Sequence, residues 1–258
     1  YVGTSPIANW GNLVQGTFGD WREAVGQNWV TKEAMVSSTA AFYTAALPSL
    51  ISQLGSSSTW SSLTGSGKYK KNVPQNLYAA NTEYWRMMDS AAEIAEISKS
   101  RAQAAGVLES AASFAFAINN AVEYKVQSIL GNAYLKTQKV QARDAQGNVL
   151  EEKSLYDIAS FDANTGQFKL DVASNGGRFT HFMDTKNRSL FLTKTEDQRI
   201  AVPIQTEEQF NSLYSKIRND IRELNQQVHG NYAYDDKMLI QANFIGELAA
   251  QFHKWVVP

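Results

Sequence analysis

Cysteine is absent from the 258 residues, and that absence closes several routes together. No disulfide framework, thiolate zinc site, iron–sulfur cluster or cysteine nucleophile can be built without it. Histidine is nearly as scarce. His181, His229 and His253 are the three present; they keep no metal-ligand spacing, no HExxH motif occurs, and the carboxylates do not fall at calcium-loop intervals. An excess of either charge is also missing. With 24 basic and 25 acidic residues the formal net charge is −1, which provides no field for holding a polyanion and argues against specific nucleic-acid binding by the whole chain.

Long hydrophobic runs are lacking too. The longest uncharged interval, Ala34 to Gly67, is rich in Ser and Thr. Its apolar centre, Ala40–Leu54, contains Pro48 and Gln53 and falls short of the roughly 20 residues that span a bilayer. It reads as a buried helix with a Ser/Gly-rich exit, the sharper alternative being a segment that inserts into a membrane after delivery. No charged n-region and apolar h-region follow Tyr1, so no signal peptide is expected. The apolar Trp255-Val256-Val257-Pro258 directly follows an amphipathic pattern, and the chain reads as part of a longer polypeptide.

Catalytic signatures fail on inspection. Gly65-Ser66-Gly67-Lys68 superficially matches the end of a phosphate loop, but Ser62 stands where that loop needs glycine and Tyr69 where it needs Ser or Thr. No nucleophile elbow, kinase triad or dinucleotide fingerprint occurs. The expectation is a non-enzyme with no catalytic residues, no cofactor and no metal.

What is present suits a buried core: 43% hydrophobic and 19% charged residues fall in the globular range. Residues 1–54 read as an N-terminal helical segment. Phe18, Trp21, Val25 and Trp29 fall at helical spacing with Asp20 as a candidate N-cap, and Phe42, Tyr43, Leu47, Leu50, Ile51 and Leu54 follow as a second stripe. A Ser/Gly-rich linker is expected over residues 55–75, ended by Pro74. From Asn76 to about Lys139 the chain reads as long Ala-rich helix. Tyr84, Met88, Ala91, Ala95, Ser98, Ala102, Ala105, Ala112 and Phe116 form a seam of small residues that permits close helix approach, with Gly106 and Gly131 as candidate breaks.

Between about residues 140 and 204 the texture changes to short strands. Asp144–Asn148, Asn164–Gly166, Asn175–Gly177 and Asp184–Arg188 separate extended runs, and a small antiparallel meander inserted in a helical protein is expected. Thr206 and Gln209 carry a capping-box signature. Phe210, Leu213, Ile217, Leu224 and Val228, with Ile221 between, mark the helix it starts, and His229-Gly230-Asn231 stops it. A second helix from Asp235 or Asp236 carries Ile240, Phe244, Leu248, Phe252 and Trp255. The fold class is therefore mainly α with a small β meander (α+β), closing on a C-terminal antiparallel helical hairpin over residues 206–257.

That hairpin carries the one family resemblance. Val228-His229-Gly230-Asn231-Tyr232 continues through Asp236 to Gln251-Phe252-His253-Lys254-Trp255. The stretch resembles a recurring pattern in large virion proteins of crAss-like tailed bacteriophages, in which a His-Gly-Asn-Tyr turn is followed by a helix closing on a Phe-Arg/His-Lys-Trp cluster. Ser154–Asp157 and Thr165–Leu170 also suit it, and the match covers about the final hundred residues. The resemblance implies a non-enzymatic virion protein, stored as cargo in capsid or tail and ejected into the host with the genome. It implies other virion proteins (tail, portal or cargo subunits) as partners, with room for a transient host-membrane contact. His229, Gly230, Asn231, Tyr232, Asp236, Phe252, Lys254 and Trp255 become the candidate interaction residues. A permanent tail or portal-associated ring component is the alternative, and a fragment of a secreted toxin a further one.

Overall fold

A computed structural model describes residues 6–26, 29–48, 76–87, 109–185 and 199–229. The expected linker at 55–75, the seam from Met88 to Ala105, Gly106, the run Leu190–Thr193 and the second helix of the hairpin lie outside them. The described residues form a mixed α+β fold of five α-helices, one four-stranded antiparallel sheet and one two-stranded hairpin.

Helix α1 spans Pro6–Gly26. Proline suits the first helical position, since the amide it lacks would be unpaired there anyway. Asp20 is not an N-cap: it lies deep inside α1 and is buried, with Ala24 one turn on. The expected apolar stripe is helical but faces outward, with Phe18 70%, Trp21 39% and Val25 65% exposed. The inward face uses small residues because the neighbours come close. A Cβ on Gly19 would lie 2.9 Å from Val228 Cγ1 and 3.2 Å from its carbonyl oxygen. Trp29 is buried beyond the helix end and tilts against Tyr134 at 6.2 Å.

Thr31 caps α2 (Lys32–Ala41) by accepting a hydrogen bond from the Ala34 amide. The chain then widens into a π-helical turn, Phe42–Ala46, which buries Phe42 against Tyr78 and leaves Tyr43 exposed. Asn76 caps α3 (Leu77–Tyr84) through its side-chain oxygen while its amide donates to Ala45 O at 3.1 Å, tying the two helix ends together.

The long helix expected from Asn76 does not continue. Met87 N donates to Thr82 O and Arg86 N to Glu83 O, the paired bonds of a Schellman stop, with Arg86 left-handed at φ 49°. Helix α4, Glu109–Thr137, is the spine against which the other four helices pack. Gly131 does not break it. Its role is close approach, because a Cβ there would fall 2.5 Å from Met87 Sδ.

The contact of α4 with α2 and α3 is polar as well as tight. Ser38 Oγ donates to Ile129 O at 2.8 Å, Tyr78 OH lies 3.1 Å from Ser128 Oγ, and Asn132 Nδ2 donates to Thr82 Oγ1 at 3.1 Å.

The strands are not a simple meander. β1 (Lys139–Arg143), β2 (Val149–Ser154), β5 (His181–Thr185) and β6 (Arg199–Pro203) form a sheet in the order β2-β1-β5-β6. β3 (Ala159–Asp162) and β4 (Gln167–Leu170) form a separate hairpin between β2 and β5 in sequence. The reason is β1: its apolar Val140 and Ala142 are buried, and it pairs with strands on both sides. The Asp144–Asn148 and Asn164–Gly166 turns fall where expected; the Asp144 carboxylate accepts from the Gln146 and Asn148 amides, and Asp162, just before the second turn, accepts from the Asn164 amide. Asp184, expected in a spacer, belongs to β5.

Helix α5, Glu207–His229, begins with the expected capping box. Gln209 N donates to Thr206 Oγ1, and the Gln209 side chain accepts from the Thr206 amide. Phe210, Leu213, Ile217, Ile221 and Leu224 are buried. The α3–β4–α5 junction is aromatic: Tyr84 stacks on Phe168 at 4.4 Å and Trp85 on Tyr214 at 5.2 Å. One continuous apolar cluster joins helices and strands.

Candidate functional site

Of the interaction residues singled out in the sequence, His229 is the last residue of α5. Gly230, Asn231, Tyr232, Asp236, Phe252, Lys254 and Trp255 lie outside the described residues. The structure fixes what precedes them. Val228 rests on Gly19, so the His229 end of α5 is anchored at the middle of α1.

One group of charged side chains lies where α4, α5 and β5 meet. Tyr134 is fully buried and its hydroxyl donates to Asp220 Oδ2 at 2.6 Å. The same oxygen accepts from Lys216 Nζ at 2.9 Å, one turn back on α5. Lys216 Nζ also lies 3.1 Å from Asp184 Oδ1, an ion pair not aligned as a hydrogen bond, and 5.9 Å from the centre of the Phe182 ring. The ammonium thus bridges two carboxylates from different elements. The tyrosine proton and the lysine charge are both committed to these partners. Chemically this is a tie between sheet and helices, since a lysine held between two carboxylates is poorly placed to act as a nucleophile.

A second polar row crosses the other face of the sheet, where Glu152, Gln141, His181 and Pro203 stand side by side on successive strands. Gln141 Nε2 donates to Glu152 Oε2 at 2.7 Å, and Gln141 Oε1 accepts from the Arg143 guanidinium. His181 Nδ1 lies 2.9 Å from Thr180 Oγ1. Burial, and then the nearby Arg143 charge, hold the His181 imidazole below its ordinary pKa. The neutral ring is therefore favoured.

In the last turn of α4, Lys136 donates to Ser37 Oγ at 2.7 Å and sits over the Tyr156 ring at 4.6 Å. Burial lowers its pKa, opposed by the Asp157 carboxylate. Desolvation pushes the Tyr156 phenol up to about 12. The Ser37 amide lies in the interior of α2, where helix geometry commits it to a carbonyl four residues back. The Ser37 amide itself is therefore not free to stabilise an oxyanion beside this pair.

Sequence pattern alone marks Lys216 and Asp220, at i and i+4, as a helix-surface pair. It does not mark Asp184 or Tyr134, because each reaches the cluster from a different element. Among the described residues no three or more His, Asp or Glu side chains gather as a metal site, and no helix is long and apolar enough to cross a membrane. The chain matches no protein-family model, no curated protein and no solved structure.

Proposed function

We propose that this chain is a non-enzymatic part of a phage virion protein, carried as cargo in capsid or tail and ejected into the host with the genome. The observation that carries the proposal is the resemblance of Val228–Trp255 to the large virion proteins of crAss-like phages. The same reading includes the hairpin in which α5 is the first helix and the segment from Asp236 the second. Two structural features support it. The charged clusters are internally paired, which suits ties more than catalysis. The outward face of α1 carries Phe18, Trp21 and Val25, an apolar ridge of the kind that meets other subunits.

Quantitative mass spectrometry of purified virions before and after genome release tests the proposal. Cargo is present in full particles and depleted from emptied ones. The α1 ridge equally favours a fixed tail or portal-associated ring component, and that reading wins if the protein stays in emptied particles at a symmetry-matched copy number. Absence from virions removes both.

A further inference from the structure

Among the described residues the four-stranded sheet has two outer edges, β2 and β6, and they are defended differently. β2 exposes Val149 and Leu150 at its start, but Glu151, Glu152 and Lys153 follow, charges that discourage a further strand. β6 reads Arg-Ile-Ala-Val-Pro, with Ile200 42% and Val202 37% exposed. Its one defence besides Arg199 is Pro203 at its last position.

The hydrogen-bond pattern tells which β6 groups remain available. Ile204 N donates to Thr180 O at 2.9 Å, and the β5–β6 register runs on without a break through Phe182–Val202 and Asp184–Ile200. Antiparallel pairing alternates, so Ile204, Val202 and Ile200 turn their amides and carbonyls towards β5. Arg199, Ala201 and Pro203 turn theirs outward. Pro203, which has no amide hydrogen, falls on the outward side, where a proline is tolerated at an edge.

We infer that β6 pairs antiparallel with β6 of a second copy of this chain, about a two-fold axis through Ala201. This register is self-complementary. Ala201 faces its own copy, and the two exchange both backbone hydrogen bonds. Each Arg199 amide then donates to the opposite Pro203 carbonyl, so the missing proline donor leaves only the Arg199 carbonyl unmatched. Ile200 meets Val202 of the other copy twice, on the face that carries the buried Phe182 and Val140. The two exposed apolar side chains of the edge thereby cover one another, and the two Arg199 side chains sit at opposite ends. Such a contact is closed, as two-fold interfaces are, and leads to a dimer rather than a fibre.

The test is light scattering on the full chain across a dilution series, with hydrogen exchange read at Ala201 and Arg199. A reversible dimer is expected, in which these amides gain protection as concentration rises. Ala201→Pro removes the central donor, which β5 does not use, and should give a monomer with unchanged circular dichroism. Val202→Lys, which keeps the backbone intact, should also shift the equilibrium to monomer. A chain that stays monomeric throughout the series overturns the inference. So does a dimer that persists in both variants, or one whose formation leaves Ala201 exchange unchanged.

Discussion

Helices α1 and α5 lie against each other, yet they are built on opposite plans. α5 buries its large apolar side chains, Phe210, Leu213, Ile217, Ile221 and Leu224. α1 turns Phe18 and Val25 to solvent and presents Gly19, Asp20 and Ala24 to its neighbours. A large side chain gains by leaving water, but it also holds two helices apart. Where backbones must approach closely, the small face goes inward and the apolar stripe is left for something else. Helical spacing identifies both elements. It tells which face is buried only when no competing small-residue face is present.

The contrast sets the size of several expected effects. Ile217→Ala empties a fully buried position and should cost about 3 kcal/mol in a denaturant titration. A loss under about 1 kcal/mol would mean that α5 is not the wall of the core. Next comes Tyr134→Phe, which leaves the Asp220 carboxylate with Lys216 but without its phenol partner. A loss of about 1–2 kcal/mol is expected by the same measurement.

The polar interface should respond with the opposite sign. Asn81 is fully buried, and neither side-chain amide atom has a partner among the described residues. Asn81→Leu should therefore raise stability by about 1 kcal/mol, and a lower melting temperature would show that this amide is satisfied by other means.

A smaller effect depends on pH. The His181 pKa is lower folded than unfolded, so the unfolded chain takes up a proton that the folded one resists. Stability is full above the ordinary histidine pKa of about 6.5 and declines as pH falls through the folded value. His181→Gln should flatten that part of the stability profile.

The smallest change is expected at the α1 ridge. Phe18→Ser should shift stability by less than about 0.5 kcal/mol. A larger loss would show that the ridge is covered in the isolated chain.

How legible the fold is from sequence follows the range of the forces involved. The α5 cap and stripe, the Asn76 start of α3 and the Asp144–Asn148 and Asn164–Gly166 turns are set by neighbours within a few residues, and these match the expectation. The end of α3 is equally local but weakly encoded, because an arginine takes the left-handed position that usually signals itself as glycine. The strand order, the Asp184–Lys216 pair and the inward face of α1 depend on residues far apart in the chain, and no periodicity reports them. The eight interaction residues drawn from the resemblance are placed by the structure only at His229.

The contact of Gly19 with Val228 also bears on how the molecule comes apart. It joins positions on the order of 200 residues apart, a closure whose entropic cost grows only as the logarithm of that length. Without it, α1 and α5 are the opposite ends of the described chain. A load applied at His229 is therefore passed to α1 through the Val228–Gly19 contact, which must part before this end of α5 leaves α1.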